Sequence, residues 1–394
     1  MKDFWAEELQ NQRKGKIGKV VLLVIILLII ITIMVLISIY FINIDFRNWC
    51  DEKILRKELL QEDTEYIELE GNETTQVYAY DKYICVFRNK KVEFYNKVGT
   101  KVDEMELDIN KAVFTSAGRY MAICENSGKK FYLICGREKI YENEVEGHIT
   151  QIDVSRNGFV SVVISNTSYK SIIDVYDRSG KEIFKTNLVT ARVADVAISQ
   201  DSKYLAIAEV DLSGIIISSS IQIVSIELAQ TNPNEAILYK YEAPTDKLIM
   251  NIEYQEQNKL ICLYNDTIEI LQDKTSNPLI KLENQKLAFM TIELSNRLAL
   301  LEEVATGEYT ADTRVRIVNP ETLKEREYIS KDVAKAIETS QNKIAINFGT
   351  ELHIINKNGI LLRKYISELE INDIVMAEGI IGIVYKDKIQ IINL

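Results

Sequence analysis

Proline is scarce in this chain, 4 residues in 394, against a usual share of about 5%. That excludes proline-rich linkers and polyproline II segments. Histidine is scarcer still, with only His148 and His353, which excludes any mechanism built on a histidine cluster. Five cysteines, Cys50, Cys85, Cys124, Cys135 and Cys262, form an odd and sparse set without a C-x-x-C pair or zinc spacing. A disulfide scaffold is excluded at that density, and no metal site is expected. No G-x-S-x-G, H-E-x-x-H, G-K-S/T, G-x-G-x-x-G or D-x-D/N-x-D/N-G occurs, so the common hydrolase, nucleotide and calcium loops are missing. No cofactor is expected. The net charge of −11 argues against a general nucleic-acid binder. Apolar residues at 47% and charged residues at 27% are ordinary for a folded protein.

What the sequence has instead is one long apolar run. Val20 to Ile42 holds 23 residues without a charge. At 1.5 Å per residue that is about 34 Å, enough to cross a hydrocarbon core of about 30 Å. A globular core needs no helix that is apolar on every side. A cleaved signal peptide has a shorter apolar region ending in small residues, whereas this run ends in Tyr40, Phe41 and Ile42. It reads as an uncleaved transmembrane anchor. Arg13, Lys14, Lys16 and Lys19 crowd its N-terminal flank. The positive-inside rule therefore places residues 1–19 in the cytoplasm and the rest outside a plasma membrane crossed once. Residues 43–63 read as a juxtamembrane helix or linker, with Phe46, Trp49, Ile54, Leu55, Leu59 and Leu60 toward one face.

From residue 64 the helical period disappears and a unit of short strands recurs. A turn followed by an apolar strand repeats as TSAGRYMAIC (115–124), SRNGFVSVV (155–163), SQDSKYLAIA (199–208), LSNRLALL (294–301) and TSQNKIAIN (339–347). Three weaker copies are DKYICVF (81–87), QNKLICLY (257–264) and EGIIGIVY (378–385). One strand position is small in seven of the eight copies: Cys85, Ala122, Ser161, Ala206, Ala299, Ala345 and Gly382, with Ile261 the exception. Small side chains at one fixed position imply neighbouring sheets in close contact there. A strand of pattern apolar-x-apolar-apolar follows in every copy, from KVEFYN to IQIINL, then a polar turn and a more polar strand. Only seven of these last strands follow their units. EYIELE (65–70), at the front, supplies the eighth and closes the array without an open edge. Four-stranded units about 42 residues apart describe an all-β fold, a β-propeller over 64–394. Eight blades are expected, or seven if one weak copy is misread.

SQDSKYLAIA and TSAGRYMAIC resemble the S-x-D-G-x-Y-hydrophobic stretch of the WD-repeat and YVTN-like propeller superfamily. VYDRSGKEIFK and IINKNGILLRKY resemble its third-to-fourth strand turn. The whole layout is similar to a bacterial family of single-pass, membrane-anchored propellers of unknown function. That resemblance implies a fold and a placement, and no activity. Two departures limit it. No Trp-Asp dipeptide occurs and Gly147-His148 is a single G-H pair, unlike a standard WD-repeat protein. Eight-bladed quinoprotein dehydrogenases carry a tryptophan in most blades, whereas Trp5 and Trp49 both precede the propeller. No quinone cofactor is expected.

Loop length is the most informative irregularity. Most turns between the second and third strands are tight, such as Asn89-Lys90, Asn265-Asp266, Gly349-Thr350 and Lys386-Asp387. Three are long: 165–170, 210–220 and 302–313. One connection type emerges on one face of the disc, and repeat proteins commonly bind with the face that bears insertions. Tyr169, Asp211, Tyr309 and Asp312 are the candidate binding residues. The plainer reading makes these segments merely longer hairpins. The insertion at 227–236 falls on the opposite face. His353 reads as a strand-face residue, and Cys85, Cys124, Cys135 and Cys262 as buried thiols. The expected function is a non-catalytic binding or scaffold propeller, held at the lipid bilayer, that recognises a protein or cell-envelope polymer. One alternative is a hydrolase or lyase acting on glycan or peptide through axial carboxylates. Another is a sensor ectodomain read by a membrane partner.

Overall fold

The computed structural model describes residues 22–40, 42, 46, 50, 54, 66–69, 75–255, 258–282, 286–294 by backbone, 297–307 and 310–394. The chain divides into two units, 1–58 and 59–394. In the first, Leu22–Tyr40 is one apolar helix long enough to cross a membrane. Its two polar side chains bond back to their own turn, Thr32 Oγ1 to the Leu28 carbonyl and Ser38 Oγ to the Met34 carbonyl, both at 2.9 Å. Neither hydroxyl therefore needs an outside partner in an apolar solvent. Most of the expected juxtamembrane helix lies outside the described residues.

The second unit is a propeller of eight antiparallel four-stranded sheets. The innermost strands of blades one to eight are Gln76–Tyr80, Ala112–Ala117, His148–Val154, Ala191–Ile198, Ile249–Tyr254, Lys286–Leu294, Ala336–Ser340 and Asp373–Ala377. Within blades one to seven, spatial order follows chain order. Tight turns suit the strand twist. Asn89 and Lys90 both take positive φ, 51° and 61°, as a two-residue type I′ hairpin requires.

Blade eight is built from both ends of the domain. Its outer strand is Tyr66–Glu68, paired with Lys388–Gln390 of the last strand. The sequence expectation of eight blades closed by the front segment therefore holds. Three ladder residues are a short clasp, and side chains reinforce it. Ile67 is 3% exposed within the core between blades eight and one. The Lys388 ammonium stands 4.2 Å from the centroid of the Tyr66 ring, a cation–π contact. Arg88 of blade one donates to the Glu68 carbonyl at 2.9 Å.

Hydrophobic burial binds the ring together, with one apolar cluster in each of the eight interfaces between successive blades. The small strand position belongs to these interfaces. Cys85, Ala122, Ala206, Ala299 and Ala345 each sit in the cluster shared with the following blade. At Gly382 a Cβ would lie 2.9 Å from Val375 Cγ2 and 3.3 Å from Ile84 Cδ1 of blade one. A side chain here would clash with Val375 of the same blade and press on Ile84 of blade one. Gly382→Val should lower the denaturant midpoint of the propeller, with an overpacking cost of about 1–3 kcal/mol. Equilibrium unfolding of the two proteins side by side measures it.

Candidate functional site

Two of the three long segments, those of blades four and six, are hairpins with continued ladders, whereas the blade-three ladder stops at Ile164 and Ile172. In blade four the pairing runs on to Asp211 and Ser218, leaving 212–217 as the tip. In blade six it reaches Ala305 and Ala311. Asp211 turns its carboxylate inward, accepting from the Ser213 backbone N–H at 2.8 Å, Ser213 Oγ at 2.6 Å and Thr190 Oγ1 at 2.9 Å. Those bonds hold it below the usual carboxylate range. Tyr169 is half-buried against the core between blades two and three. Asp312 lies half-buried within the blade-six ladder opposite Val304, and Tyr309 lies outside the described residues. Among the described residues no hydrogen bond joins Tyr169, Asp211 and Asp312 to one another.

The same hairpins carry something residue type alone did not single out. At the blade-four tip Leu212, Ile215, Ile216 and Ile217 are exposed, Ile215 completely. Val189, Leu248, Val333 and Leu369, in the connections from each outer strand to the next blade, are exposed on that same face. Turns of the opposite face expose Val98 and Leu323.

A cavity of about 890 Å³ occupies the axis. The middles of the inner strands and the turns that follow them line it, so it opens on the face opposite the long hairpins. Blades three to six each carry a β-bulge at the equivalent inner-strand position, after Ile149, Val193, Ile249 and Leu287. A bulge bends its strand and re-aims the next side chain. In three of these blades the re-aimed residues meet as one polar rung. Asp195, 6% exposed, accepts from the side-chain amide of Gln151, from Asn251 Nδ2 at 2.6 Å and from the Ile252 N–H at 2.8 Å. It ties blades three, four and five. Two residues further along the blade-three strand, Asp153 accepts from the Ile198 N–H of blade four at 2.9 Å. Burial pushes the Asp153 carboxyl up to about 7 against these hydrogen bonds, and it raises Asp195 too.

A second buried polar set lies away from the axis. The "x" of the third-strand pattern is Glu93, Tyr132, Asp174, Gln222, Glu269, Arg316, His353 and Gln390, one per blade at equivalent register. Most are satisfied locally. Glu93 meets Arg88 at 2.9 Å and Tyr95 at 2.8 Å. Arg316 meets Glu302 at 2.9 Å. His353 bridges Tyr328 at 2.8 Å and Glu351 at 3.2 Å, and burial lowers its pKa. None lines the axial cavity, so this set serves blade structure. The pattern contained it, but period alone could not say whether "x" faced solvent or core. Cys85, Cys124 and Cys262 are buried as expected. Cys135 is a correction, half-exposed at the end of its strand beside the Gly136 turn. His148 is exposed, its Nδ1 2.8 Å from the Ser127 carbonyl.

Two stability predictions follow from the axis. Asp195→Ala strands the Ile252 N–H and two side-chain amides, at about 1–3 kcal/mol for each buried group left unpaired, and should lower the unfolding midpoint sharply. Asp153 behaves oppositely. A carboxyl raised in the folded state loses stability as pH climbs from its unfolded value, about 4, through its folded one. Asp153→Asn should therefore gain on the parent protein as pH rises from 5 to 8, read as the difference in urea midpoints at the two values.

No curated protein matches the chain in sequence. Solved structures share its fold. Sqt1 from Chaetomium thermophilum is 12% identical with a TM-score of 0.55, covering 85% of this chain and 100% of its own. BamB from Moraxella catarrhalis is 13% identical with a TM-score of 0.51, again covering 85% and 100%. At such identity the likeness is one of fold alone. A protein-family model matches residues 60–394, the whole propeller, and by it the chain belongs to the family described as a family of unknown function, DUF5711.

Proposed function

We propose that this protein is a membrane-anchored, extracytoplasmic, non-catalytic propeller whose hairpin face docks a protein partner. The observation that carries the reading is the aliphatic tip Leu212–Ile217, where three consecutive isoleucines stand in water on a two-stranded arm. Keeping large aliphatic side chains in water forfeits about 1.5–3 kcal/mol each relative to burial. Contiguous exposed apolar surface on an otherwise ordinary soluble domain marks an interaction site. Val189, in the connection between blades three and four, adds to it. The apolar helix Leu22–Tyr40 supports tethering at a bilayer, and the basic N-terminal flank supports an outward propeller. The hydrolytic alternative has one observation in its favour, the carboxylates of the axis. It is the weaker reading because Asp195 is saturated by four donors and poorly placed to exchange protons.

Ile215→Ser combined with Ile216→Asp should abolish recovery of a discrete photo-crosslinked partner in intact cells, with the crosslinker at Leu212. The unfolding midpoint should barely move, since surface changes stay within about 0.5 kcal/mol. Undiminished recovery, or the same adduct from Asn232 on the opposite face, would overturn the docking face.

A further inference from the structure

We propose that the axial cavity is a second binding site, independent of the hairpin face, which holds a ligand's alkylammonium or guanidinium group on the Asp153 carboxylate. The cavity opens on the other side of the disc, so the two sites can be occupied and tested separately.

The argument starts from an uncompensated charge. Buried or half-buried carboxylates in folded proteins are paired or fully hydrogen-bonded, as others in this ring are: Glu93 has Arg88, Glu209 has Lys240, Glu302 has Arg314 and Arg316, and Asp195 has four neutral donors. Among the described residues no lysine, arginine or histidine pairs with Asp153. Its Oδ2 takes the Ile198 N–H at 2.9 Å. Its Oδ1 is reached by Thr115 Oγ1 at 3.5 Å, beyond the range of a normal O–H···O bond. The Val154 N–H is a second backbone donor to this carboxylate; a carboxylate has about four acceptor positions, so Asp153 keeps unused acceptor capacity beside the cavity. Ala197, which faces the small strand position of blade four as Asp153 does in blade three, leaves space next to it. Among the described residues the other charged groups lining the cavity are Asp81, Asp195, Glu253 and Glu378, against Arg156. The local field favours a cation.

A second observation points to a ligand from a different direction. Gln255, in the turn after the blade-five inner strand, lines the same cavity and is only 5% exposed. Among the described residues its Nε2 has no hydrogen-bond partner. A buried donor left unpaired is costly, and a carbonyl or hydroxyl oxygen on the ligand would satisfy it. A volume of about 890 Å³ lies within the range of small-molecule sites. The site fits a cation that also bears an acceptor, from a free amine or from a basic side chain on a peptide backbone.

Isothermal titration of the full chain in detergent tests this, with spermidine and N-acetyl-arginine amide as probes at pH 6 and pH 8.5. At least one probe should bind at pH 8.5. Asp153→Asn, which keeps the acceptor for Ile198, should weaken binding ten-fold or more, the effect of losing a charge-assisted bond. Asp211→Asn on the far face should change nothing. Parent affinity should fall toward pH 6 as Asp153 takes up a proton, with Asp195, Glu253 and Arg156 the other ionisable groups lining that part of the cavity, and the Asp153→Asn protein should be flat. Tighter binding of the arginine amide would assign a peptide-borne cation, and tighter binding of spermidine a free polyamine. Failure of both probes on the parent protein, or equal affinity in Asp153→Asn, would overturn the site and leave the hairpin-face reading untouched.

Discussion

Face-to-face contact between successive blades is what the propeller depends on. No blade has a core of its own; each buries its apolar faces only against its neighbours. A small residue in the middle of nearly every second strand lets those neighbours approach. The ring is then one cooperative object, and its weakest link is set by geometry. The last blade must borrow its outer strand from the front of the domain. Three residues do this, helped by Ile67 in the core, Arg88 on a carbonyl and Lys388 on Tyr66.

Polar groups are distributed by the same logic. In the third strands one side chain per blade is polar; Arg316 is matched within its blade by Glu302, whereas His353 is matched by Glu351 of its own blade and by Tyr328 of the blade before. At the axis matching runs across three blades. Asp195 collects donors from blades three, four and five, a cross-tie that apolar packing could not supply so near an open channel. Asp153 follows the same rule with fewer near donors, the Ile198 and Val154 N–H groups. It is this departure that separates a structural carboxylate from one with capacity left for something else.

The two faces of the disc are also unlike. Long ladders raise the blade-four and blade-six hairpins on one side, and the blade-four tip ends in bare isoleucine. The other side holds the mouth of the axial cavity, with Asp81, Arg156 and Glu378 in its turns. An apolar projection and an acidic recess suit different ligands.

How much of this was readable beforehand differs by feature. The apolar run, the strand repeat, the small position and the closing strand were all legible, because each is a local pattern whose physical demand acts on neighbouring residues in the chain. The long segments were legible as irregularities, though Tyr169 and Asp211 are engaged within their own surroundings and the exposed feature is the Leu212–Ile217 tip. That tip looked like any apolar strand residues, since exposure is not written in residue type. The axial set was not legible. Asp153, Asp195 and the pair Asn251 and Gln255 are separated by tens of residues, and each stands in an otherwise ordinary strand or turn. Sequence by itself determined the four-stranded repeat and where the chain closes, because period and hydrophobicity act along the chain. Only the tertiary structure decided which carboxylates meet and which remains unpaired, because the ring brings one residue from each blade to a shared axis.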